Sequence, residues 1–264
     1  MLKVSVMKSS TSAKSAKIAD YYKNEEKHLA IKSETLMSKA EAKALAIEAN
    51  HIIKDYGDYV LTENPKDRSY SAWGGALAEK AGLLGKEVTA EKLAEVLEGN
   101  LLGQSIQRGS HQNKRCGHDL TFSAPKSISV MSLLYGDARL LKAHQDSVKE
   151  AMAEFARLVP VMRIQDPATK KPMRVKTDQI IYAMEMHRAS RNLDPQLHTH
   201  CLTMNMAIDD NGKLRAINID DLYDQKLNMY LGKLYQASLN KRPRALGYFT
   251  YALGDGQFAI TGIP

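Results

Sequence analysis

The stretch HRASRNLDPQLHTHCLTMN, residues 187–205, decides how this chain is read. It holds three histidines in a window of fourteen residues, spaced H-x10-H-x-H, with a proline turn between the first and second. Side chains of an extended strand alternate faces, so His198 and His200 point one way while Leu197, Thr199 and Cys201 point the other. Upstream, residues 178–188 read as a strand. There Ile181, Ala183, Glu185 and His187 share one face, and Ile180, Tyr182, Met184 and Met186 share the other. The connection ASRNLDPQ (189–196) is long enough to return the chain antiparallel to a strand over 197–208. His187 then lies across from the other two, about 5 Å away. A lone H-x-H more often decorates a solvated strand face. Three imidazoles converging from one sheet face make a divalent-metal site with positions left for a substrate.

Composition frames this site. The chain has 264 residues, 44% of them hydrophobic, enough for one sizeable core. A formal charge of +7 and a pI near 9.2 favour an anionic partner such as nucleic acid. Cys116 and Cys201 are far apart and in no metal-type spacing, which fits a reducing compartment without disulfides. The N-terminal MLKVSVMKSSTSAKS has no apolar run of signal-peptide length, and no segment approaches the roughly 18 apolar residues of a membrane span. A cytoplasmic protein is expected.

Along the chain, LKVSVM (2–7) reads as a first strand, followed by a helix capped within SSTSAKS and carrying Tyr21 and Tyr22 near its end. Residues 23–55, rich in Ala, Lys and Glu, read as helical. The stretch DYGDYVLTENPKDRSYSAWGG (55–75) reads as a loop holding Tyr56, Tyr59, Tyr70 and the only tryptophan, Trp73. A short helix follows, capped by Thr89, ended by Gly99, and burying Leu93, Val96 and Leu97. HDLTFSAPKSISVMSLL (118–134) reads as a strand, a turn at Pro125 and further extended or core chain. Residues 137–159 form a long amphipathic helix capped by Asp137, with Leu141, Val148, Met152 and Phe155 in register. A basic linker over 165–176 leads to the strand pair, then a helix near 220–239 and a final hairpin turning at Gly254–Gly256. No GxxxxGK[ST] loop is present, so no nucleotide motor is indicated.

A tyrosine pair on a helix ordinarily puts one ring in the core. A tyrosine becomes a nucleophile only when its hydroxyl, with an ordinary pKa of about 10, meets an activated electrophile or a base.

Taken together, Tyr21-Tyr22, DLTFSAPKS (119–127) and HRASRNLDPQLHTH (187–200) resemble the relaxase domain of the TrwC/TraI-type (MobF) conjugative relaxases, within the HUH endonuclease superfamily. The resemblance runs through the Trp73-Gly74 loop to ALGY at 245–248. It implies an α+β fold, a central antiparallel sheet or palm with flanking helices and a helical fingers region. It also implies one relaxase domain over 1–264, the N-terminal part of a longer relaxase–helicase. The activity implied is nicking and religation of single-stranded DNA at a plasmid origin of transfer, alongside other relaxosome proteins.

Carried over by motif, His187, His198 and His200 are the metal ligands, Asp119 orients a ligand histidine and helps take the tyrosine proton, and Tyr21 is the primary nucleophile. The family's second tyrosine pair normally follows within about ten residues. Here Tyr22 is followed by 23–55, read as a helical insertion, which leaves Tyr56 or Tyr59 as the displaced second nucleophile.

The implied reaction is transesterification: the tyrosine oxygen attacks a phosphodiester, a 5′-phosphotyrosine forms and a free 3′-OH leaves. Mg or Mn suits this use, and three histidines also suit Zn, Ni or Cu. Lys126, Arg188 and Arg191 lie inside the motifs as candidate phosphate contacts, and Tyr59, Tyr70 and Trp73 as rings for stacking on unpaired bases. More basic chain lies at 113–115, 169–176 and 240–244. Three alternatives stay open on sequence: a rolling-circle replication initiator with the same His-x-His chemistry, a three-histidine metalloenzyme that does not act on DNA, and a DNA-binding module with a dead site. The second leaves the tyrosines and the basic charge unexplained.

Overall fold

The computed structural model describes residues 2–9, 70–106, 114–166, 169–190 and 194–263. Tyr21, Tyr22, Tyr56, Tyr59, Arg191, the expected helix after residue 10 and the 23–55 insertion lie outside the described residues.

The chain opens with strand β1 (Leu2–Ser9), and the described part resumes at β2 (Ser71–Gly74) and helices α1 (Ala76–Lys80) and α2 (Ala90–Glu98). Two short strands, β3 (Asn100–Leu101) and β4 (Gln104–Ser105), precede β5 (Lys114–Ser123), α3 (Lys126–Leu133) and α4 (Ala138–Leu158). Then come β6 (Val161–Gln165), β7 (Pro172–Lys176), β8 (Ile180–Ala189) and β9 (Pro195–Ile208). The last elements are β10 (Leu214–Arg215), β11 (Ile217–Asn218), α5 (Gln225–Ala245) and the hairpin β12 (Thr250–Gly254) and β13 (Gln257–Ile260).

The central sheet runs β1-β5-β9-β8-β2, antiparallel throughout, with β10 also paired to β9. Cross-strand partners share a face, so the sheet can be read in rows. Val4, Leu120, Cys201, Met184 and Ala72 form one row, apolar from edge to edge. That face is covered by α3, α4 and α5 through Ile128, Val148, Met152, Phe155, Leu231 and Tyr235, among others. Each such side chain, once buried, stabilises the fold by about 1.5–3 kcal/mol.

On the opposite face Ile181, Ala183, Leu202 and Met204 pack against Leu77 of α1 and Leu93, Val96 and Leu97 of α2. Helix α2 is bounded as its sequence requires. The Thr89 side chain accepts from the Lys92 N–H, and Gly99 closes the helix at φ 97°, in the left-handed region. Gly74 lets β2 approach β8: a Cβ there would lie 2.4 Å from the Tyr182 ring.

The structure corrects the expected course of the chain at three places. Residues 126–133 are helical, not extended. Pro125 leads into the first turn, and the hydroxyls of Ser129 and Ser132 donate back to the carbonyls of Pro125 and Ile128. Packing of Ile128 on the sheet overrides the strand-like composition of SISV. The basic 165–176 segment is not a linker throughout: Pro172–Lys176 form β7, paired antiparallel with β6. Trp73, expected to stack on DNA, is 1% exposed within the α1–α2 core, so its ring has no face left for a base.

In α4 the stripe begins with Leu140 fully buried and Leu141 only partly so, and continues through Val148, Met152 and Phe155 as expected. The helix expected near 220–239 is a 3-10 turn at Asp220–Tyr223 followed by α5, which extends to Ala245.

Candidate metal centre

The two central strands bring the histidines together as the alternation requires. His187 on β8 is the direct partner of His198 on β9, and Glu185 is the partner of His200. The three rings lie 5.0–5.3 Å apart between centroids. One nitrogen from each falls within 4.8 Å of the others. All three residues are 9% exposed or less.

Two of the three imidazoles have their tautomer set from behind. His200 Nδ1–H donates to Asp119 Oδ2 at 2.8 Å, and His198 Nδ1–H donates to the Gln196 carbonyl at 3.0 Å. With the proton held on Nδ1, Nε2 of each ring keeps its lone pair for a ligand bond. Asp119 is itself fixed: it is 4% exposed, and the Thr121 hydroxyl donates to its other oxygen at 3.3 Å. Three neutral nitrogen donors converging this closely fit a divalent ion.

The site occupies the place where the apolar α1–α2 core stops. One row of the sheet reads Ser5, Asp119, Leu202, Ala183 and Trp73. The next reads Lys3, Thr121, His200, Glu185 and Ser71, and the third contains Ser123, His198 and His187. Glu185 has no role in the motif reading, although alternation along β8 puts it on the histidine face. It is 3% exposed and accepts a hydrogen bond from the Ser71 hydroxyl at 3.1 Å. An acidic residue continuing the face of Ile181 and Ala183, two positions before a ligand histidine, is the signal that marks it.

The remaining motif residues are distributed around this centre. Lys126 is exposed, and its Nζ donates to the Pro195 carbonyl at the start of β9 at 3.1 Å. Arg188, half-buried, follows His187 directly. A cavity of about 580 Å³ adjoins the centre through Thr121 and is lined also by Lys3, Lys126, Gln236, Tyr251 and Phe258. Tyr70 is half-buried with the Lys149 ammonium 5.2 Å from its ring centroid, so one face of that ring is already used.

The other described histidines belong to the core. His144 is wholly buried between the Tyr235 and Thr199 hydroxyls, each 2.8 Å away, and burial pushes its pKa down to about 3. His118 meets the Tyr223 hydroxyl at 2.9 Å, and burial, with Arg115 nearby, lowers its pKa to about 4. Both cysteines are buried. No described helix is long and apolar enough to cross a membrane.

Comparison with known proteins agrees with this geometry. Residues 11–264 match the TrwC relaxase family model. The chain is 35% identical over 231 residues to a multifunctional conjugation protein TraI of Escherichia coli, and 32% identical over 241 residues to TraI of E. coli strain K12. These alignments cover 81% and 87% of this chain, yet the chain spans only 13% of the length of either relative. Among solved structures, a metal-bound conjugative relaxase TrwC in complex with oriT DNA superimposes with a TM-score of 0.76 at 29% identity, over 100% of this chain and 76% of that one. A copper-bound TrwC–oriT complex gives the same TM-score and identity, covering 100% of this chain and 77% of that one. The α+β fold with its antiparallel sheet is therefore the fold of TrwC, and the chain belongs to the TrwC relaxase family.

Proposed function

We propose that this chain nicks and rejoins a single DNA strand at an origin of transfer by tyrosine transesterification, and so initiates conjugative transfer. The observation that carries the proposal is the three-histidine cluster braced by Asp119, set in the fold of a relaxase solved with oriT DNA. His187, His198 and His200 hold one divalent ion, for which Mg or Mn is the working choice and Zn, Ni or Cu fit the same donors. A divalent ion held there would supply Lewis-acid stabilisation of the charge that develops on the scissile phosphate.

The chain's own residues do the rest. The Tyr21 oxygen attacks phosphorus, forming a 5′-phosphotyrosine and releasing a 3′-OH; the bond energy is conserved and the reaction reverses without ATP. Asp119 keeps the His200 Nδ1 proton in place, which aims Nε2 at the ion, and assists removal of the tyrosine proton. Lys126, Arg188 and Arg191 contact phosphates. Tyr22, Tyr56 and Tyr59 are the remaining tyrosines of the motif region, with Tyr56 or Tyr59 serving a second cleavage. A helicase region in a longer chain, further relaxosome proteins and a cytoplasmic setting complete this reading.

The test is the site of the adduct. The sequence predicts a helix through Tyr21 and Tyr22, on which neighbouring side chains would diverge by about 100° and only one would easily face the metal. Tyr21→Phe should abolish the covalent adduct with a cognate single-stranded oligonucleotide, while Tyr22→Phe keeps most of it. Mass spectrometry of the digested adduct decides, and a nucleotide found on the peptide carrying Tyr56 and Tyr59 would overturn the assignment of Tyr21.

A further inference from the structure

We infer that Ser129 is a positioning residue of the metal centre: it anchors the Gln196–Leu197 peptide, whose carbonyl holds the His198 proton on Nδ1 and leaves Nε2 for an ion. The inference rests on the metal-centre reading above and adds to it a residue of α3 that is not itself a ligand.

The peptide sits in an irregularity of the sheet. His187 pairs with His198 and Ala189 with Pro195, so β8 takes two steps where β9 takes three. The extra residue makes a β-bulge in β9 between Pro195 and His198, the kind of kink that re-aims groups beside a site. Gln196 and Leu197 occupy it.

A trans peptide unit is planar, with its N–H and C=O pointing in opposite directions. The Gln196 carbonyl and the Leu197 N–H belong to one such plane, so holding either end aims the other. The N–H end is held in the core, where Leu197 N–H donates to Ser129 Oγ at 3.0 Å. Ser129 is fully buried, and its own hydroxyl donates to the Pro125 carbonyl at 3.2 Å, at the start of α3. An oxygen lone pair is thereby left for Leu197. The following peptide is fixed as well, because Ala124 N–H donates to the Leu197 carbonyl at 2.9 Å. At the far end of the plane, the Gln196 carbonyl accepts from His198 Nδ1 at 3.0 Å.

These contacts run as a chain from α3 to the ligand. His200 has its proton placed by a carboxylate, whereas His198 has its proton placed by a backbone carbonyl, which serves only while its peptide keeps its orientation. An imidazole whose Nδ1 loses its acceptor can carry the proton on Nε2 instead, the atom the ion requires. Serine suits the anchor because one hydroxyl both donates to Pro125 and accepts from Leu197. Alanine does neither.

The experiment uses the metal-free chain carrying nitrogen-15 histidine, at about pH 8, where imidazoles are neutral. Long-range proton–nitrogen correlation spectra report which ring nitrogen holds the proton, and His198→Ala and His200→Ala chains assign the two rings. In the unaltered chain His198 should be the Nδ1–H tautomer, and a proton on its Nε2 overturns the inference without any variant. Ser129→Ala should move a large share of His198 to the Nε2–H form, while His200, held by Asp119, keeps its proton on Nδ1. The same variant should bind Mn2+ about tenfold more weakly by calorimetry, the lower end of the range for residues standing behind a metal ligand. An unchanged His198 tautomer overturns the inference, as does Mn2+ affinity within about twofold of the unaltered chain. Equal shifts at His198 and His200 also overturn it, because Ser129 would then support the core in general. Should alanine prevent folding, Ser129→Cys fills the place with a much weaker acceptor and is read by the same criteria. A His198→Ala, His200→Ala chain that binds Mn2+ normally is a separate result: it refutes the metal-centre reading, while the tautomers, measured without metal, are unaffected by it.

Discussion

Replacing Asp119 by asparagine separates charge from shape at the best-defined contact of the site. Asp119 uses both oxygens: Oδ2 accepts from His200 Nδ1 at 2.8 Å and Oδ1 accepts from the Thr121 hydroxyl at 3.3 Å. Asparagine can keep this arrangement, with its carbonyl toward the imidazole and its amide toward Thr121, whose oxygen can accept. What is lost is the charge. A hydrogen bond to an ionised partner is worth about 1.5–3 kcal/mol and a neutral one about 0.5–1.5 kcal/mol, so the change is on the order of 1–1.5 kcal/mol. That corresponds to roughly tenfold in rate, the lower end of the 10–100-fold range for outer-sphere partners of a metal ligand. Asp119→Ala, which also removes the shape, should fall toward the upper end. The assay is single-turnover formation of the covalent adduct with excess oligonucleotide, beside fluorescence anisotropy for DNA affinity, which should hardly change. An Asn variant cleaving at the normal rate would show that Asp119 braces the sheet without contributing to the chemistry.

Three further outcomes are expected. The His198→Ala, His200→Ala double variant should lose bound metal by elemental analysis and lose nicking together; full metal-dependent cleavage would remove the ligand assignment. Binding of single-stranded DNA should weaken with salt by about 0.7 log unit per log unit of salt for each phosphate neutralised, and a flat salt titration would make the +7 charge incidental. Stability should fall on mild acidification because His144 and His118 stay neutral in the fold, at pKa values of about 3 and 4, while the unfolded chain binds protons below about pH 6.5. The contribution is complete above that pH, and from pH 7 to 5 each histidine removes about 2 kcal/mol; equal urea midpoints at the two pH values would contradict it.

What the sequence discloses and what it hides divide along physical lines. The faces of β8 and β9 are legible because strand alternation is fixed by covalent geometry. Once His187 pairs with His198, the partners back to Tyr182 and Thr203 follow residue by residue, before the register shifts towards Ile180. The boundaries of α2 are legible because Thr89 and Gly99 satisfy or terminate backbone groups locally. Helix α3 is hidden, since its β-branched and serine content weighs against helix and only its packing on β9 decides. The β6–β7 hairpin is hidden for another reason: four of the five β7 residues are exposed, so alternation leaves no trace in PMRVK. Trp73 misleads because a lone tryptophan beside two glycines reads as a loop. Its burial depends on α1 and α2 folding over it, a long-range fact that no local window contains.

The location of the site on the sheet has its own logic. Along β8 the face of Ile181 and Ala183 is apolar and belongs to the α1–α2 core, and the same face turns polar at Glu185 and His187. Along β9 the same border falls between Leu202 and His200, and along β5 Asp119 stands on it. Three adjacent strands thus change character at matching rows, although each spells the change in a different part of the sequence. Local propensity cannot align them, because valine or isoleucine would serve every one of these strand positions at least as well. Register alignment of buried polar residues on neighbouring strands is costly unless they act together. Of the polar residues at this border, His200 meets Asp119, Asp119 meets Thr121, and Glu185 meets Ser71 by direct hydrogen bonds. A fold that needed only a sheet between two cores would have no reason to place them in register, whereas a site that must gather three imidazoles and fix their tautomers does.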